Sequence, residues 1–339
     1  MNTTKPNPLK RILNTRGMGG ALTAFAGLIV IYIAFGIINP TVFSGQNIMN
    51  LLRSMSKYLL IGIGQSYILI TGNIDLSIGS VAGMSAMISA TLMTKGIHPI
   101  AAILVTLVCC LAIGVLNGLL VGKWKLPPFI ATLGTMFVAR GVAYIVNRNR
   151  NTDAIASGIG KEAADSFGNF FYYGSTFGIY NTFWIAIALF VVFFFLLSGT
   201  RTGRHIYAIG SNVDAAKLSG VSVLSTTTKA YLVSAFCSFV VGLILCGQAG
   251  MGNMEAGNMY EMYGVAAGVI GGVSPLGGTG ILLGTLAGAA VWQTLENGLN
   301  MIGAQVGIQR LVIGIIVVVA VFLDVVVRNG ARKKPAKAG

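Results

Sequence analysis

Few side chains in the apolar parts of this sequence could bind or transfer anything, and acids are among the rarest. The first acid, Asp75, lies in the segment TGNIDLSIGS between apolar stretches at residues 58–70 and 78–88. A carboxylate among hydrocarbon costs free energy unless it is capped, paired or functional. Glu296 and Asp324 are the other acids within or at the end of the longer apolar stretches. So few acids argue against a proton relay through the chain.

Asp75 occupies a position that favours a helix N-cap, because Leu-Ser-Ile-Gly-Ser and a long apolar run follow it. Its carboxylate would accept hydrogen bonds from the amides near Ser77 and Ile78, at the positive end of the helix. The alternative is that this helix end lines a route through the protein. The two interpretations are compatible, so Asp75 and Ser77 are candidate residues of a translocation pathway.

Glu296 and Arg310 are candidates for a charge pair. Glu296 lies toward the end of the predicted span 281–299, Arg310 opens the next span, and a short turn at residues 300–307 joins them. Pairing near the outer surface would lower the cost of both charges. The alternative for Arg310 is a side chain that extends to the membrane interface by itself.

The sequence lacks the motifs of the common enzyme classes. It contains no P-loop, no H-E-x-x-H and no G-x-S-x-G, and its two histidines, His98 and His205, lie far apart. The sequence therefore predicts no catalytic residues, no metal site and no cofactor.

The elements that carry these residues are membrane helices. Hydrophobic residues make up 55% of the 339, charged residues 9%, and the mean hydropathy is +0.79. A helix needs roughly 20 apolar residues to cross a bilayer. Runs near that length occupy residues 21–38, 76–93, 100–121, 182–197, 231–245, 281–295 and 311–327, and shorter ones residues 58–70, 129–146 and 264–272. We therefore predict an all-α polytopic membrane protein with about ten transmembrane helices, some short or broken.

The net charge of +14 reflects orientation in a membrane rather than nucleic-acid binding. Basic residues concentrate in residues 1–19, 199–229 and 329–339, which the positive-inside rule assigns to the cytoplasm. Residues 147–181 carry balanced charges and are assigned to the outside. The prediction is a transmembrane domain at residues 20–328 with two basic cytoplasmic tails, an external loop at 147–181 and a cytoplasmic loop at 199–229.

Glycine is in excess, with 46 residues. Two glycine-containing clusters, TGNIDLSIGS and GGVSPLGGTG, split a hydrophobic pair in each half of the chain. Paired interruptions of this kind point to a transport pathway, because broken helices expose backbone groups to a cavity.

The cytoplasmic loop contains SNVDAAKLSG, which reads as a short helix. Asn212 is a good N-cap, Asp214 lies in the first turn, and Gly220 supplies a left-handed stop. Its small, partly apolar face consists of Ala215, Ala216 and Leu218. Such a short helix is unstable alone, so it must pack against the protein's own cytoplasmic face or against a partner.

Five segments carry a resemblance to a known family. In chain order they are GNIDLSIGSVAGMSAM, PPFIATLGTMFVARG, RTGRHIYAIGSNVDAAKLSGV, MYEMYGVAAGVIGGVSPLGGTG and ENGLNMIG. Together they resemble the permease of ribose- and galactoside-type ABC sugar importers. The resemblance implies a multi-pass protein of the bacterial inner membrane that works with a second permease copy or related chain, a separate cytoplasmic ABC ATPase and an extracytoplasmic sugar-binding protein.

The resemblance also implies roles for particular residues. The helix in SNVDAAKLSG matches the family's coupling helix, which docks in an ATPase cleft. The base of this loop, which would anchor it to acidic partners or lipid headgroups, contains Arg201, Gly203 and Arg204. Helix geometry, rather than the resemblance, places Phe129 and Thr132 on one face of the helix that starts at Pro127-Pro128, with Thr135 adjacent. Because hydroxyl groups and aromatic faces bind sugars, these three residues are a candidate pathway lining. Ordinary helix packing is the alternative for these three.

Two positions depart from the family pattern. Tyr263 stands where the family has an acid, and Gln65 where a methionine is common. Both positions lie near the predicted gating segments. A stand-alone secondary transporter or channel for a small polar solute is the alternative function, although it should carry more buried acids for coupling ions.

Overall fold

The structure is a computed structural model that describes residues 18–312, 314–316, 318–319 and 322. Except for residues 18 and 19, the basic tails predicted at residues 1–19 and 329–339 lie outside the described residues. Asp324 and most of the last predicted span, 311–327, also lie outside them.

The first half of the chain forms five long helices. They are α1 (Met18–Ile38), α2 (Gly45–Ile70), α3 (Ile78–Thr94), α4 (Pro99–Gly122) and α5 (Pro128–Ile145). A 3₁₀ turn at Pro40–Phe43 joins α1 to α2, where the Ser44 side chain accepts the Asn47 amide. Helices α4 and α5 begin at prolines, whose missing N–H costs nothing in the first turn.

Residues 147–181 are a folded insertion rather than a simple loop. They contain α6 (Ala156–Ile159), α7 (Lys161–Gly168), a π-helical turn (Asn169–Tyr173), β1 (Ser175–Thr176) and β2 (Ile179–Tyr180). The two short strands pair antiparallel, with Ser175 opposite Tyr180.

The second half contains both long and short helices. It comprises α8 (Asn181–Gly199), α9 (Arg201–Ser211), α10 (Val213–Leu218), α11 (Val223–Ala249), α12 (Tyr260–Ile270), α13 (Leu282–Met301) and α14 (Val306–Ile316). We call the end of the molecule that carries α9 and α10 the loop end.

Five of these helices, α1, α4, α5, α8 and α11, are long and apolar enough to cross a membrane. Helices α3 and α12 are shorter, with 17 and 11 residues. The short apolar run at residues 264–272 predicts this for α12, whereas the run at 76–93 predicts a helix near spanning length. The only strands in the described residues are those of the two-residue pair. The predicted all-α polytopic membrane fold is confirmed.

Helix α2 is longer than the apolar run at residues 58–70 suggests, because its first half carries polar residues. The rings of Tyr172 and Tyr180 lie 4.5 and 4.0 Å from the Arg53 guanidinium. The Lys57 ammonium donates to the Gln248 side chain at 2.9 Å. These contacts hold the charges of α2 against the insertion and α11, so a hydropathy pattern alone misses this half of the helix.

Helix α11 is the centre of the core. It packs against α2, α3 and α4 and is buried along most of its length. A Cβ at Gly242 would collide with Ser85 of α3, so the two helices approach at backbone distance. Helices α1, α4, α5 and α8 instead expose broad apolar faces, which suit contact with lipid.

Helices α2 and α12 end with the same backbone motif. After α2, the Gly72 and Asn73 amides donate to the carbonyls of Leu69 and Ile68, at 2.8 and 3.2 Å. The amides of residues 272 and 273 bond the carbonyls of residues 269 and 268 after α12 in the same pattern, both at 2.9 Å. Gly72 and Gly272 have φ angles of +78° and +83°, so each is the left-handed glycine of a Schellman motif. Both predicted interruptions are therefore capped helix ends.

Candidate functional site

Asp75 is the main hydrogen-bonding residue of the first interruption, residues 71–77. One carboxylate oxygen of Asp75 accepts the Ser77 amide at 2.9 Å and the Ser77 hydroxyl at 2.6 Å. Ser77 occupies the capping position of α3, which begins at Ile78. The predicted N-cap, Asp75, therefore lies two residues before the observed one. It still binds the first turn of α3 through the Ser77 amide, as the sequence suggests.

Asp75 is also the centre of a buried hydrogen-bond chain. Its second oxygen accepts the Ser234 hydroxyl of α11 at 2.6 Å. The Ser77 hydroxyl accepts the Asn117 amide of α4 at 2.9 Å, and Thr135 of α5 donates to the Asn117 carbonyl oxygen at 2.7 Å. All five side chains are buried. This set, which we call the Asp75 network, ties the start of α3 to three other helices.

Sequence reasoning identified Asp75, Ser77 and Thr135 but missed Asn117 and Ser234. Asn117 is the one amide side chain within the apolar run at residues 100–121, and that isolation was an available signal. Ser234 gives no such signal, because serines are common in the neighbouring apolar helices.

The three residues predicted to share a lining face are separated by the fold. Phe129 is 56% exposed on the outside of α5, whereas Thr132 and Thr135 are buried. The Thr132 hydroxyl donates to the Pro128 carbonyl of its own helix at 2.8 Å. Only Thr135 reaches the Asp75 network. The fold therefore does not bring Phe129 together with Thr132 and Thr135, because the first turn of α5 directs that ring away from the bundle, and a lining role for Phe129 stays a prediction.

The second interruption, residues 271–281, meets the first at the loop end. The Gly278 amide donates to the Ile70 carbonyl at 2.8 Å. A Cβ at Gly277 would lie 2.9 Å from the Cα of Gly72 and 2.7 Å from the carbonyl oxygen of Gly210. A Cβ at Gly210, in the last turn of α9, would collide with the Ile70 carbonyl. We call this contact of Gly72, Gly210, Gly277 and Gly278 the glycine junction.

The predicted short helix in the loop at residues 199–229 forms as α10. The Asn212 side chain accepts the amides of Asp214 and Ala215 at 3.0 and 2.9 Å. Asp214 pairs with Lys217 at 3.0 Å, and Gly220 has a φ of +79°. The N-cap and the glycine stop are thus as the sequence predicts.

The predicted apolar face of α10 is wrong for Ala216. Ala216 is 4% exposed, and its carbonyl accepts the Val221 amide at 3.0 Å, so it packs against its own chain. Leu218 is 92% exposed and Ala215 is exposed with it. Successive helical residues are rotated by about 100°, which separates position 216 from its neighbours. A partner can therefore reach Leu218 but not Ala216.

The base of the loop, predicted only as an anchor for the loop, is a second helix, α9. The Thr200 side chain accepts the Gly203 amide at 3.3 Å and starts the helix. A Cβ at Gly203 would collide with Leu197, which explains a glycine in the sharp turn between α8 and α9. Arg201 and Arg204 are exposed.

Glu296 and Arg310 do not form the predicted ion pair. The Tyr58 hydroxyl donates to one carboxylate oxygen of Glu296 at 2.8 Å. Over the described residues, the only ion pair within 4.0 Å joins Lys217 to Asp214. Glu296 and Arg310 instead line the same cavity of about 560 Å³. Tyr58 takes the role that the prediction gave to Arg310.

The two departures from the family pattern have different surroundings. Tyr263 packs in an aromatic cluster, with ring centroids 5.5 Å from Tyr58 and 5.0 Å from Trp292. Gln65 is fully buried where α2 faces Gly264 of α12, and neither atom of its amide has a hydrogen-bond partner among the described residues. The described residues also contain no cluster of three or more His, Cys, Asp or Glu that could hold a metal ion.

An apolar helical body with two interrupted helices that meet at one end defines a polytopic membrane transport protein. Comparison with known sequences identifies the family. Residues 47–321 match the family described as branched-chain amino acid transport system / permease component. The chain therefore belongs to this family of permease components, and the prediction from the sequence is confirmed.

Individual relatives cover nearly the whole chain. The chain is 34% identical over 324 residues to the ribose import permease of Bacillus subtilis. The aligned residues cover 96% of this chain and 98% of that permease. The chain is 33% identical over 311 residues to the galactose/methyl galactoside import permease of Haemophilus influenzae, covering 87% and 92%. It is 31% identical over 299 residues to the D-allose transport system permease of Escherichia coli, covering 88% and 89%. No solved structure matches the chain.

The family and the apolar helices together establish a multi-pass protein of the bacterial inner membrane. The chain is a transport component rather than an enzyme.

Proposed function

We propose that this chain is the membrane-spanning permease subunit of an ATP-driven sugar importer. The names of its relatives, which cover ribose, allose, galactosides and arabinose, support a sugar as the solute. The glycine junction is the observation that best supports a coupled transport mechanism, because it joins both helix interruptions to α9 at one end of the molecule.

The loop end faces the cytoplasm in this proposal, and both termini lie on the same side. The basic residues of the loop support this orientation. A separate ABC ATPase docks on α10, where Leu218 is the most exposed apolar side chain. Arg201 and Arg204 contact acidic groups of the ATPase or lipid headgroups. The ATPase hydrolyses ATP, and an extracytoplasmic sugar-binding protein delivers the solute to the opposite end.

Movement of the ATPase reaches the pathway through rigid backbone contacts. Helix α10 follows α9 directly, with Asn212 between them, so a displacement of α10 also displaces Gly210. Gly210 contacts Ile70 and Gly278 without intervening side chains, so both interruptions must move with it. The Asp75 network fixes the first interruption to α4, α5 and α11 and sets the limit of that movement. Asp75, Ser77 and Thr135 are thus positioning residues of the gate.

A second permease subunit completes the pathway. The apolar faces of α1, α4, α5 and α8 include large exposed side chains such as Phe129, Phe137 and Phe195. The partner subunit, a second copy or a related chain, covers part of this surface, and lipid covers the rest.

The substitution Leu218→Asp tests ATPase docking. Because Leu218 contacts solvent almost fully, we expect Leu218→Asp to insert and fold normally. An added charge in a hydrophobic cleft should reduce recovery of the ATPase with the tagged permease, and uptake of labelled D-ribose, by about tenfold or more. Leu218→Met, which keeps an apolar side chain of similar size, is the matched control and should retain both.

The energy source distinguishes this proposal from a secondary transporter. Uptake by cells that express the complete system should survive an uncoupler and stop on ATP depletion. Uptake that stops with the uncoupler and survives ATP depletion would contradict the proposal, as would full ATPase recovery and uptake with Leu218→Asp.

A further inference from the structure

A cavity of about 560 Å³ lies where α12, α13 and α14 meet. Small-molecule sites in proteins have volumes of about 300–1,000 Å³. One part of the wall is apolar and aromatic, with Met262, Tyr263 and Trp292. The polar part of the wall consists of Glu296, Asn300, Gln309 and Arg310. Aromatic surface with a few convergent polar groups is the composition of a ligand site rather than of a lipid-facing groove.

The aromatic wall is held rigidly. The rings of Tyr263 and Trp292 lie 5.0 Å apart at an interplanar angle of 38°, and Tyr58 packs against both. Trp292 is buried apart from its contact with the cavity. Fixed rings present an apolar surface at low entropic cost, which suits the C–H face of a sugar ring.

The polar wall offers acceptors and donors in fixed positions. Tyr58 donates to one oxygen of Glu296 and so orients the carboxylate. The Gln309 amide nitrogen donates to the Asn300 side chain and to the Ala304 carbonyl, each at 2.8 Å. Arg310 has no ion-pair partner within 4.0 Å in the part of the chain that the structure describes. A neutral ligand rich in hydroxyl groups uses both kinds of group, whereas a lipid chain would leave two charges without hydration.

The cavity lies far from the glycine junction. Glu296 follows Leu282, the first residue of α13, by 14 positions, which corresponds to roughly 20 Å along a helix axis. Because α13 starts beside the second interruption, the cavity is near the end of the molecule opposite the loop end. In the proposed orientation this is the outer end, where a solute enters.

We infer that this cavity is a low-affinity binding site for the transported sugar, with Tyr263 as a specificity-determining residue. This inference rests on the proposed function. A carrier site must release its solute, so binding should be weak, with a dissociation constant on the order of 1 mM or above. The identity of the side chain at position 263 decides which face of a sugar can rest on the wall.

Trp292 supplies a direct readout of binding that is independent of transport. The chain has three tryptophans, and Trp124 and Trp184 do not line the cavity. The full-length variant Trp124→Phe/Trp184→Phe in lipid vesicles therefore reports the cavity alone. Titration with D-ribose, D-allose, D-galactose and L-arabinose should give a saturable change in emission with at least one sugar, whereas sorbitol at equal osmolarity should give none.

Two glutamines of α14 and the turn before it make a matched pair of variants. Gln309 lines the cavity, whereas Gln305, one helical turn away, is exposed and does not. In the same background, Gln309→Ala should weaken the apparent affinity about fivefold, as expected for one lost hydrogen bond. Tyr263→Ala should weaken it about tenfold, and Gln305→Ala should leave it unchanged.

Three results would overturn the inference: no saturable response to any of the four sugars, equal effects of Gln309→Ala and Gln305→Ala, or disulfide cross-linking of two chains through Met262→Cys. The last result would assign the cavity to a second copy of the chain. ATP-driven sugar uptake by the wild-type system distinguishes a failure of this inference from a failure of the proposed function. Uptake without a Trp292 response contradicts only the inference about the cavity. A wild-type system that imports no sugar by ATP hydrolysis defeats the proposed function as well.

Discussion

Residues 71–77 and residues 271–281 leave their helices through the same Schellman motif and are then fixed by different means. The first interruption is held by side chains, since Asp75 and Ser77 bond to side chains of α4 and α11 and the Tyr231 hydroxyl donates to the Ile74 carbonyl at 3.1 Å. The second is held mainly through its backbone. The Gly278 amide bonds the Ile70 carbonyl, and the Tyr207 hydroxyl donates to the Gly280 carbonyl at 2.6 Å.

The two interruptions differ in amino-acid composition because they are held in these different ways. The first interruption needs particular polar side chains and has a single glycine with positive φ, Gly72. The second contains four such glycines, at positions 272, 277, 278 and 280, and its Leu276 is 76% exposed. One interruption is therefore sensitive to the loss of a polar group and the other to the gain of a Cβ. The glycine junction, where they meet, should be the most sensitive point.

The largest effect is expected for Gly210→Val. The added side chain would collide with the Ile70 carbonyl and lie 2.6 Å from the Gly278 amide nitrogen, and both obstacles are backbone. We expect a loss of about 4 kcal/mol or more in free energy of unfolding, or no folded permease in the membrane fraction. Thermal unfolding of the purified protein measures the change.

Gly134→Val is the matched control for Gly210→Val, because a Cβ there would meet no atom within 4 Å. Its free energy of unfolding should change by less than about 1 kcal/mol. A Gly210→Val protein with normal thermal stability and uptake would show that the two interruptions do not depend on close backbone contact.

Asp75→Leu should have the next largest effect. The leucine leaves the Ser77 amide and the Ser234 hydroxyl without their acceptor in a buried site, and we expect a loss of about 2–3 kcal/mol in free energy of unfolding. Asp75→Asn keeps an acceptor for Ser77, and its amide can donate to Ser234, so it should lose about 1 kcal/mol or less. Equal thermal stability of the two variants would show that hydrogen bonds to the Asp75 side chain do not stabilise the first interruption.

The smallest effect is expected from a comparison of two buried threonines of α5. Thr135→Val removes the hydrogen bond to Asn117 and should lower the free energy of unfolding by about 1 kcal/mol. Thr132→Val removes only a bond to the helix's own carbonyl and should cost less than about 0.5 kcal/mol. If thermal unfolding ranks them in the opposite order, the Asp75 network does not extend to α5.

The sequence was sufficient wherever the signal was local. Asn212 as an N-cap, Gly220 as a stop and the two glycine-containing interruptions all depend on residues a few positions apart, and the structure contains each of them. Apolar runs likewise predicted the long helices, except for the polar first half of α2. Local patterns of this kind determine helix ends with little help from the rest of the fold.

The sequence was insufficient where partners come from distant segments. Glu296 bonds Tyr58, 238 positions away, rather than nearby Arg310. The polar half of α2 is stabilised by Tyr172, Tyr180 and Gln248, which no periodicity reveals. The inward position of Ala216 also depends on the path of the chain after α10.

The Asp75–Ser234 hydrogen bond has a consequence for synthesis of the chain. The two residues are 159 positions apart, which corresponds to roughly 8–32 s of translation. During that interval α2 and α3 can already be inserted, while Asp75 still lacks its bond to α11. Gly210 and Gly277 also follow long after Gly72, so the first interruption acquires its final neighbours only near the end of biogenesis. A chain stopped before α11 should therefore expose residues 71–77 to proteolysis.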